Sequence, residues 1–207
     1  MHHRIIGLYD ENAAAWAALR SGSGELEAAW LQRLAALLKP GAEILDIGCG
    51  SGEPLARDLI SAGFAVTGID SSPSLIAICR ERFPDQKWIV GDMRALELGA
   101  RFDGAIAWHS LFHLSPDDQR GMFARLAAHL REGGVLMFTS GDDEGVRVGE
   151  WQGEPLYHAS LSQEEYRSLL EAAGFEVLDF RPRDPECGGA TVWVAQIKPA
   201  SGLEGSA

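Results

Sequence analysis

Three glycines at alternate positions, Gly48, Gly50 and Gly52, follow the apolar run ILDI, which contains Asp46. Glycine tolerates a positive φ and lets backbone amides approach a ligand closely. The spacing does not fit the dinucleotide pattern G-x-G-x-x-G, because Glu53 takes its last position when the count starts at Gly48. An acid followed by a proline is also a poor neighbour for a pyrophosphate. The loop therefore predicts a ligand without phosphate and disfavours a nicotinamide-dependent oxidoreductase.

Two further carboxylates occur where a nucleoside would need hydrogen-bond acceptors. Asp70 ends the run VTGID, at about the interval after the glycines at which a carboxylate accepts from the ribose hydroxyls. Asp92 follows the run KWIV, where it could accept from an amino group of a base while Met93 packs on the face of that base. Each acid alone could instead be a helix cap or a loop charge. Three acids in register favour a nucleoside site.

Two histidines, His109 and His113, lie four residues apart in WHSLFHL. On a helix this spacing could bind zinc, but no glutamate follows His109 as in H-E-x-x-H and no third ligand is evident. We therefore predict no metal site. Either imidazole could act as a general base on an attacking hydroxyl or amine, and His158 in EPLYH is a third candidate. The alternative role of each is packing or contact with an acceptor molecule.

Short apolar runs separated by helical segments must position these side chains. Five runs are too short for a helix and are typical of buried strands: EILDI, FAVTGI, KWIV, FDGAIAW and GVLMFTS. Ser72, Ser115 and Ser162 are predicted to cap the intervening helices, and Gly63 and Gly133 to end helices. Alternating strands and helices predict a Rossmann-like, doubly wound α/β sheet that is mostly parallel, with its ligand at the carboxyl ends of the strands.

The remaining segments complete the predicted architecture. The runs FEVLDF and ATVWVAQI are joined by a connection too short for a crossover helix, so we expect seven strands with an antiparallel last strand. Residues 141–160 lack apolar periodicity and predict a functional loop or short insertion. We expect a single domain over residues 1–198, an N-terminal helical lid over about residues 1–40, and a flexible tail at 199–207.

Composition narrows the classes of partner. The 207-residue chain is 46% hydrophobic and has a formal net charge of -12 at pH 7, which disfavours nucleic acid as a partner because a phosphate backbone would be repelled. Its three cysteines form no CxxC pair, a pattern that fits a reducing compartment. The sequence contains no apolar stretch of about 18 residues and no signal-peptide pattern. We therefore expect a cytoplasmic protein with no membrane contact.

In this order of strands and loops, the sequence resembles the class I S-adenosylmethionine-dependent methyltransferases, particularly their small-molecule branch. ILDIGCGSG resembles the first motif of that family, VTGID the second, GDMR the third and FDGAIAWHSLFHL the fourth. The resemblance covers roughly residues 5–198. It implies methyl transfer from S-adenosylmethionine to a small organic acceptor, with S-adenosylhomocysteine as product. A catalytically idle protein that binds this cofactor as a sensor or scaffold is the alternative.

The resemblance also implies a cofactor site. The glycine loop passes around the methionine part of the cofactor, the acid after strand two holds the ribose, and the acid after strand three binds the adenine amine. Asp46 resembles the acid that faces the methionine ammonium, and Trp108 would lie near the sulfonium, where an aromatic face favours a cation. Carried over position by position, the implied cofactor-binding residues are Tyr9, Asp46, Gly48, Gly50, Gly52, Asp70, Ser71, Asp92, Met93 and Trp108.

The methyl acceptor is expected beside this cofactor site. Tyr9, together with Asp10 and Trp16, resembles lid residues that fold over the cofactor, although an aromatic anchor for a packed helix is the alternative. Three segments supply most aromatic and imidazole groups that the sheet core does not need: the one around Tyr9, residues 109–113, and residues 151–158. We predict that these segments build the acceptor pocket. The expected oligomeric state is a monomer or a homodimer.

Overall fold

The computed structural model describes residues 4–22 and 24–199, so most of the predicted tail, residues 200–207, lies outside the described residues. The strands of the described residues are β1 (Glu43–Ile47), β2 (Ala65–Asp70), β3 (Lys87–Val90), β4 (Phe102–Ala107), β5 (Leu130–Ser140), β6 (Gly145–Trp151), β7 (Glu154–Ser160), β8 (Phe175–Asp184) and β9 (Ala190–Ile197). The α-helices are α1 (Ile5–Glu11), α2 (Ala13–Arg20), α3 (Glu25–Leu37), α4 (Leu55–Ser61), α5 (Pro73–Arg82), α6 (Pro116–Ala128) and α7 (Gln163–Ala172). Within these residues, no helix is long and apolar enough to cross a membrane.

Seven strands form one sheet in the order β3-β2-β1-β4-β5-β9-β8. β1 pairs in parallel with both β2 and β4, so the chain turns from one side of β1 to the other at this point. β9 runs antiparallel to both of its neighbours, β5 and β8. The predicted fold class and the antiparallel last strand are confirmed. In an open sheet of this kind, a crevice opens at the carboxyl ends of the strands beside the point of reversal.

Each face of the sheet buries its own apolar core because side chains alternate along every strand. Ile44 belongs to the core under α3, α4 and α5, whereas the next residue, Leu45, belongs to the core under α6 and α7. Trp30 anchors the first core and Phe123 the second, and both are about 1% exposed. The two cores together hold β1 rigidly in the middle of the sheet, and the glycine loop starts at its end.

The predicted caps hold at three helices, and one predicted helix end is wrong. Ser72, Ser115 and Ser162 each accept a hydrogen bond from an amide in the first turn of the following helix. Gly133, predicted to end a helix, lies inside β5 with φ of 71°, because α6 already ends at Ala128. The pairing of β5 with β4 shifts its register at this point. The glycine therefore accommodates a bulge in a strand.

Residues 141–160, predicted as a loop or short insertion, contain a two-stranded antiparallel hairpin of β6 and β7. Gln152 and Gly153 connect the strands, and both have positive φ (55° and 78°), as a tight two-residue hairpin turn requires. The hairpin packs on α1, since Tyr157 and Ala159 form a small apolar cluster with Ile5. The insertion and the N-terminal helices thus meet above the carboxyl ends of the strands.

Candidate functional site

A cleft with an empty volume of about 1080 Å³, including its open mouth, lies at the carboxyl ends of β1 to β4 and beneath α1 and α2. Nine of the ten predicted cofactor-binding residues line it: Tyr9, Asp46, Gly48, Gly50, Asp70, Ser71, Asp92, Met93 and Trp108. Gly52 instead lies against the ring of Phe83, 2.9 Å from where its Cβ would stand. His109 and His113 also line the cleft, whereas His158 lies behind them.

The glycine loop follows β1 and leaves no room for side chains. Gly48 and Gly50 have φ of 73° and 56°, in the left-handed region that side chains disfavour. A Cβ at Gly48 would lie 2.4 Å from the Cβ of Ser110, and one at Gly50 would lie 3.0 Å from Nε1 of Trp16. The loop therefore presents bare backbone to the cleft, between the turn after β4 and the lid helix α2.

Asp70 joins the glycine loop to the loop after β2. Its Oδ2 accepts from the amide of Gly50 and its Oδ1 from the amide of Ser72, both at 2.9 Å. Burial raises the pKa of Asp70, and the bonds from Ser72, Gly50 and Ser71 oppose that rise. A carboxylate offers about four lone-pair sites, so this one can bridge two loops and still accept from a ligand.

Asp46, near the end of β1, is a buried carboxylate that has no hydrogen-bond partner among the residues that the structure describes. It is 4% exposed, and its side chain makes no hydrogen bond within the described residues. Burial raises the pKa of Asp46 to about 7, and the nearby charge of Asp70 acts in the same direction. A buried, unpaired acid is costly in its ionised form, so the site is suited to a cationic ligand group.

Asp92, after β3, is held by an arginine that sequence reasoning did not assign to the site. Arg94 places its Nε 3.0 Å from each carboxylate oxygen of Asp92, and its own amide donates to Oδ1 at 2.9 Å. Arg94 lines the cleft and lies 3.8 Å from Asp118. The motif GDMR contained the pair, but sequence alone does not show that the arginine folds back on the acid. Met93 lies between Asp92 and the glycine loop.

His113 connects the lid, the turn after β4 and the hairpin. Its Nδ1 lies 2.9 Å from the carbonyl oxygen of Tyr157, and its Nε2 lies 3.1 Å from the hydroxyl of Tyr9. Because a carbonyl only accepts, Nδ1 carries the proton, and Nε2 of the neutral ring accepts from Tyr9. Burial lowers the pKa of His113 to about 4, which keeps the ring neutral at pH 7. Burial also raises the pKa of Tyr9, so this tyrosine stays a proton donor.

His109 has a strained backbone that directs it into the cleft. Its φ is 50°, a left-handed value rare for a residue with a side chain, and its amide donates to Oγ1 of Thr139 at 2.8 Å. The side chain stays accessible inside the cleft. Enclosure by the cleft walls lowers the pKa of His109, and Arg20 acts in the same direction. Strain of this kind concentrates at functional sites, and Thr139 was not identified from sequence.

Trp108 and His158 contact the two histidines that line the cleft: Trp108 packs near His109, and His158 packs near His113. The ring of His158 lies 4.9 Å from His113 and 5.0 Å from Phe112, so it supports the rings that line the cleft. Trp108 lines the cleft, and its buried Nε1 has no hydrogen-bond partner within the described residues. Trp108 thus contributes an apolar surface, with its ring 5.5 Å from that of His109.

The lid helices are fastened over the cleft at two points. Oδ1 of Asp10 accepts from the hydroxyl of Ser72 at 2.6 Å and from the amide of Ser74 at 2.9 Å, which ties α1 to the start of α5. Tyr9 packs against Trp16 of α2 and Trp151 of the hairpin, with ring centroids 5.0 and 5.3 Å apart. The N-terminal segment therefore covers the cleft both above the loops after β1 and β2 and beside the hairpin.

Comparison with known proteins identifies the family. A family model described as "Methyltransferase domain" matches residues 19–179. An O-methyltransferase of Pyrenophora dematioidea is 29% identical over 152 residues, which cover 68% of this chain and 56% of the relative. The chain spans about half the length of the curated relatives it matches.

Two solved structures share the fold. An amino pentose methyltransferase of Micromonospora echinaspora with bound S-adenosylmethionine has a TM-score of 0.70 at 22% identity, over 89% of this chain and 96% of that chain. A 1,6-didemethyltoxoflavin-N1-methyltransferase of Burkholderia thailandensis with bound S-adenosylhomocysteine has a TM-score of 0.72 at 23% identity, over 94% and 87%. This chain belongs to the class I S-adenosylmethionine-dependent methyltransferases, and the resemblance seen in its motifs is confirmed.

Proposed function

We propose that this chain binds S-adenosylmethionine in the cleft and transfers its methyl group to a small organic acceptor. One observation carries the proposal: Asp46, a buried carboxylate without a hydrogen-bond partner in the described residues, lines a cleft whose adjoining wall is the bare glycine loop. A cationic ammonium beside Asp46 would remove the cost of the unpaired acid. The glycine cradle fits a ligand that approaches the backbone closely.

The other acids of the cleft support the remaining contacts of the cofactor. We assign the ribose hydroxyls to Asp70, which keeps lone pairs after bonding Gly50 and Ser72. We assign the adenine amine to Asp92, whose carboxylate Arg94 holds in place, and the adenine face to Met93. Ser71 and Trp108 complete the set, with the indole beside the sulfonium. The bound cofactor supplies an electrophilic methyl group with a good leaving group.

The residues around the methyl position would act mainly by holding the acceptor in line, because positioning supplies much of the acceleration in such displacements. Tyr9 donates to Nε2 of His113, so its oxygen is left to accept from an acceptor N–H or O–H. His113, the candidate base at this position, stays neutral and accepts from Tyr9 at Nε2, so its role here is to fix the direction of the Tyr9 hydroxyl. His109, accessible in the cleft, is the second candidate for contact with the acceptor.

We place the acceptor between the lid, the turn after β4 and the hairpin. Tyr9 from the lid, His113 from the turn and the carbonyl of Tyr157 from the hairpin form one hydrogen-bonded chain, which supports this location. His158 and Trp151 contribute from behind, through their contacts with His113 and Tyr9.

The proposed organisation is one methyltransferase domain over residues 1–198, with the lid over about residues 1–40 and the insertion at 141–160. A small-molecule acceptor and no nucleic-acid partner fit the formal net charge of -12. We also propose a cytoplasmic location and a monomeric or homodimeric state. Size-exclusion chromatography with light scattering distinguishes those two states.

Calorimetry with S-adenosylmethionine and S-adenosylhomocysteine tests the binding half of the proposal. We expect both to bind, and no heat from either compound would contradict it. A panel of small metabolites, assayed for release of S-adenosylhomocysteine, tests the transfer half. Binding without turnover across the panel would favour the alternative, an idle cofactor-binding protein.

A further inference from the structure

The acceptor end of the cleft is walled by rings. Five ring side chains line the cleft beneath the lid and at the turn after β4: Tyr9, Trp16, Trp108, His109 and His113. Trp16 also borders the glycine loop, since its Nε1 lies 3.0 Å from where a Cβ at Gly50 would stand. Neighbouring rings meet at steep angles, as Tyr9 does with Trp16 (76°, centroids 5.0 Å apart) and with His113 (64°, 5.4 Å). Aromatic groups prefer such edge-to-face or offset contacts with one another and with planar ligands. A planar ring is thus the ligand shape that best fits against these side chains.

A second layer of rings fixes the first. Trp151 stacks on Tyr9 with an interplanar angle of 29°, and it also meets Trp16 at 5.7 Å. Phe112 lies 4.8 Å from His113 and 5.7 Å from His109. Because the second layer of rings restrains the lining side chains, they lose little conformational freedom when a ligand binds, and the site is preorganised.

The charges of the cleft disfavour an anionic guest. Both arginines that line it are ion-paired, Arg20 with Glu27 at 2.6 Å and Arg94 with Asp92. Carboxylates line the cofactor end of the same cleft, among them Asp46 and Asp70. Burial holds the pKa of His113 low, so its imidazole adds no positive charge at pH 7. A carboxylate or phosphate on the acceptor would therefore find both lining arginines already engaged with carboxylates.

Tyr9 and His109 supply uncharged polar groups at this end, beside the ion pair of Arg20 with Glu27. The oxygen of Tyr9 can accept a hydrogen bond, because its proton is directed to His113. Nδ1 of His109 lies 3.4 Å from Oγ1 of Thr139, and its Nε2 makes no hydrogen bond within the described residues. Together they offer two neutral contacts for the polar edge of a ring.

Resting on the proposed function, we infer that the methyl acceptor is an uncharged, planar aromatic or heteroaromatic molecule that carries its nucleophile as a ring N–H or O–H. The nucleophile's lone pair forms a bond to the methyl carbon while the bond from that carbon to the sulfonium sulfur breaks, and its electron pair goes to the sulfur. Methylation leaves the nucleophile positively charged and strongly acidic, so its proton is then lost to solvent through the open mouth of the cleft, while the Tyr9 oxygen accepts a hydrogen bond from it. Saturated and anionic acceptors are expected to bind more weakly than this class.

A matched set of probes tests this inference by binding, independently of turnover. The full chain saturated with S-adenosylhomocysteine is titrated by calorimetry with 2-naphthol, its saturated counterpart decahydro-2-naphthol, and 6-hydroxy-2-naphthoate; 5-hydroxyindole serves as a second planar probe. We expect at least one planar neutral probe to bind about tenfold or more tightly than both the saturated and the carboxylate compounds. The inference is overturned if the saturated or the carboxylate compound binds as tightly as the planar neutral probes. It is also overturned if neither planar probe binds.

Variants of α2 test the role of the rings. Trp16→Leu should weaken binding of the planar probe about tenfold, and Trp16→Phe should restore most of it. Leu19→Ala, at a 62% exposed position on the same helix, should leave it unchanged. The affinity of each variant for S-adenosylhomocysteine is measured first, because Trp16 also borders the glycine loop. Failure of Trp16→Leu to alter the preference for planar over saturated probe contradicts the inference. If the protein binds no S-adenosylhomocysteine, the proposed function fails. If S-adenosylhomocysteine binds but the planar probes show no preference, only this inference fails.

Discussion

The two ends of the cleft differ in the groups that form them and in how far apart those groups lie in the sequence. The cofactor end consists of loops that directly follow β1, β2 and β3, and Asp70 fastens two of them through backbone amides only 20 and two residues away in sequence. The acceptor end consists of side chains from segments far apart, since Tyr9 bonds His113 across 104 residues and His113 bonds Tyr157 across 44. The first end is defined by backbone and acids, the second by rings. Changes at one end should therefore leave the other largely intact.

The largest effect should come from a side chain added to the glycine loop. Gly48→Ala places a Cβ 2.4 Å from that of Ser110 at a φ of 73°, so the loop must move. We expect affinity for S-adenosylmethionine to fall about a hundredfold or more, since strain and clash each cost on the order of 1–3 kcal/mol. Calorimetry measures the loss.

Gly63→Ala is the matched control for this substitution. Gly63 also has a positive φ, 88°, but a Cβ there would meet nothing within 4 Å. Gly63→Ala should lower the free energy of unfolding by about 1 kcal/mol without changing the affinity for the cofactor. If Gly48→Ala behaves like Gly63→Ala, the glycine loop does not form the cofactor cradle.

The next largest effect should come from Asp70→Ala. Each charge-assisted hydrogen bond to ribose is worth roughly 1.5–3 kcal/mol, so affinity for S-adenosylmethionine should fall at least tenfold. The structure adds a second reason, because the amides of Gly50 and Ser72 lose their acceptor. A folded variant, checked by circular dichroism, with unchanged affinity would refute the ribose assignment.

At the opposite end, His109→Ala should slow acceptor turnover about tenfold while cofactor affinity changes by less than that factor, 1.4 kcal/mol. His158→Ala should act in the same direction but more weakly, because His158 lies behind the lining rings. Steady-state kinetics with a turned-over acceptor separate the two parameters. Wild-type rates in both variants would mean that the acceptor does not bind at this wall.

The smallest effect is a proton released on binding. The cofactor-free pKa of Asp46 is about 7, and an ammonium beside it would lower that value. Cofactor binding at pH 7 should therefore release roughly half a proton, with less release above pH 8. Calorimetry in buffers of different ionisation enthalpy measures it, and Asp46→Asn should abolish it. Proton uptake instead of release would contradict the ammonium assignment.

The raised pKa of Asp46 also makes the free energy of unfolding depend on pH. Because the folded-state pKa of Asp46 is raised above that of the unfolded chain, the folded protein binds the extra proton between about pH 4 and 7. The free energy of unfolding of the cofactor-free protein should therefore contain a contribution that declines as pH rises through this window. Denaturant titrations of the wild type and of Asp46→Asn isolate it, since the variant lacks the decline.

The sheet, and the meeting of the acids and glycines in one cleft, could largely be predicted from the sequence because their signals are local. A buried strand, a glycine turn and a terminal acid are contiguous, and strand order places the acids at one edge. Gly133 shows the limit of local signals, since a glycine permits a positive φ in a strand bulge as readily as at a helix end.

The acceptor end could be predicted only as a set of segments. β6 is exposed along nearly all of its length, so it has no buried face to produce a strong strand pattern, and its pairing depends on β7 and on contacts with α1. The tautomer of His113 depends on a carbonyl of the hairpin. The ion pair between Arg94 and Asp92 depends on the rotamer of the Arg94 side chain. None of these can be deduced from spacing.

The contact between Asp10 and the start of α5 makes one backbone amide a reporter of lid motion. The amide of Ser74 donates to Asp10 on the lid, whereas the neighbouring amide of Leu75 donates to Ser72 of its own helix. Hydrogen–deuterium exchange at Ser74 therefore requires the lid to lift, while exchange at Leu75 requires the helix itself to fray. The protection factor of the Ser74 amide therefore gives the free energy of lid opening, and that of the Leu75 amide gives the free energy of fraying of α5, without a bound ligand.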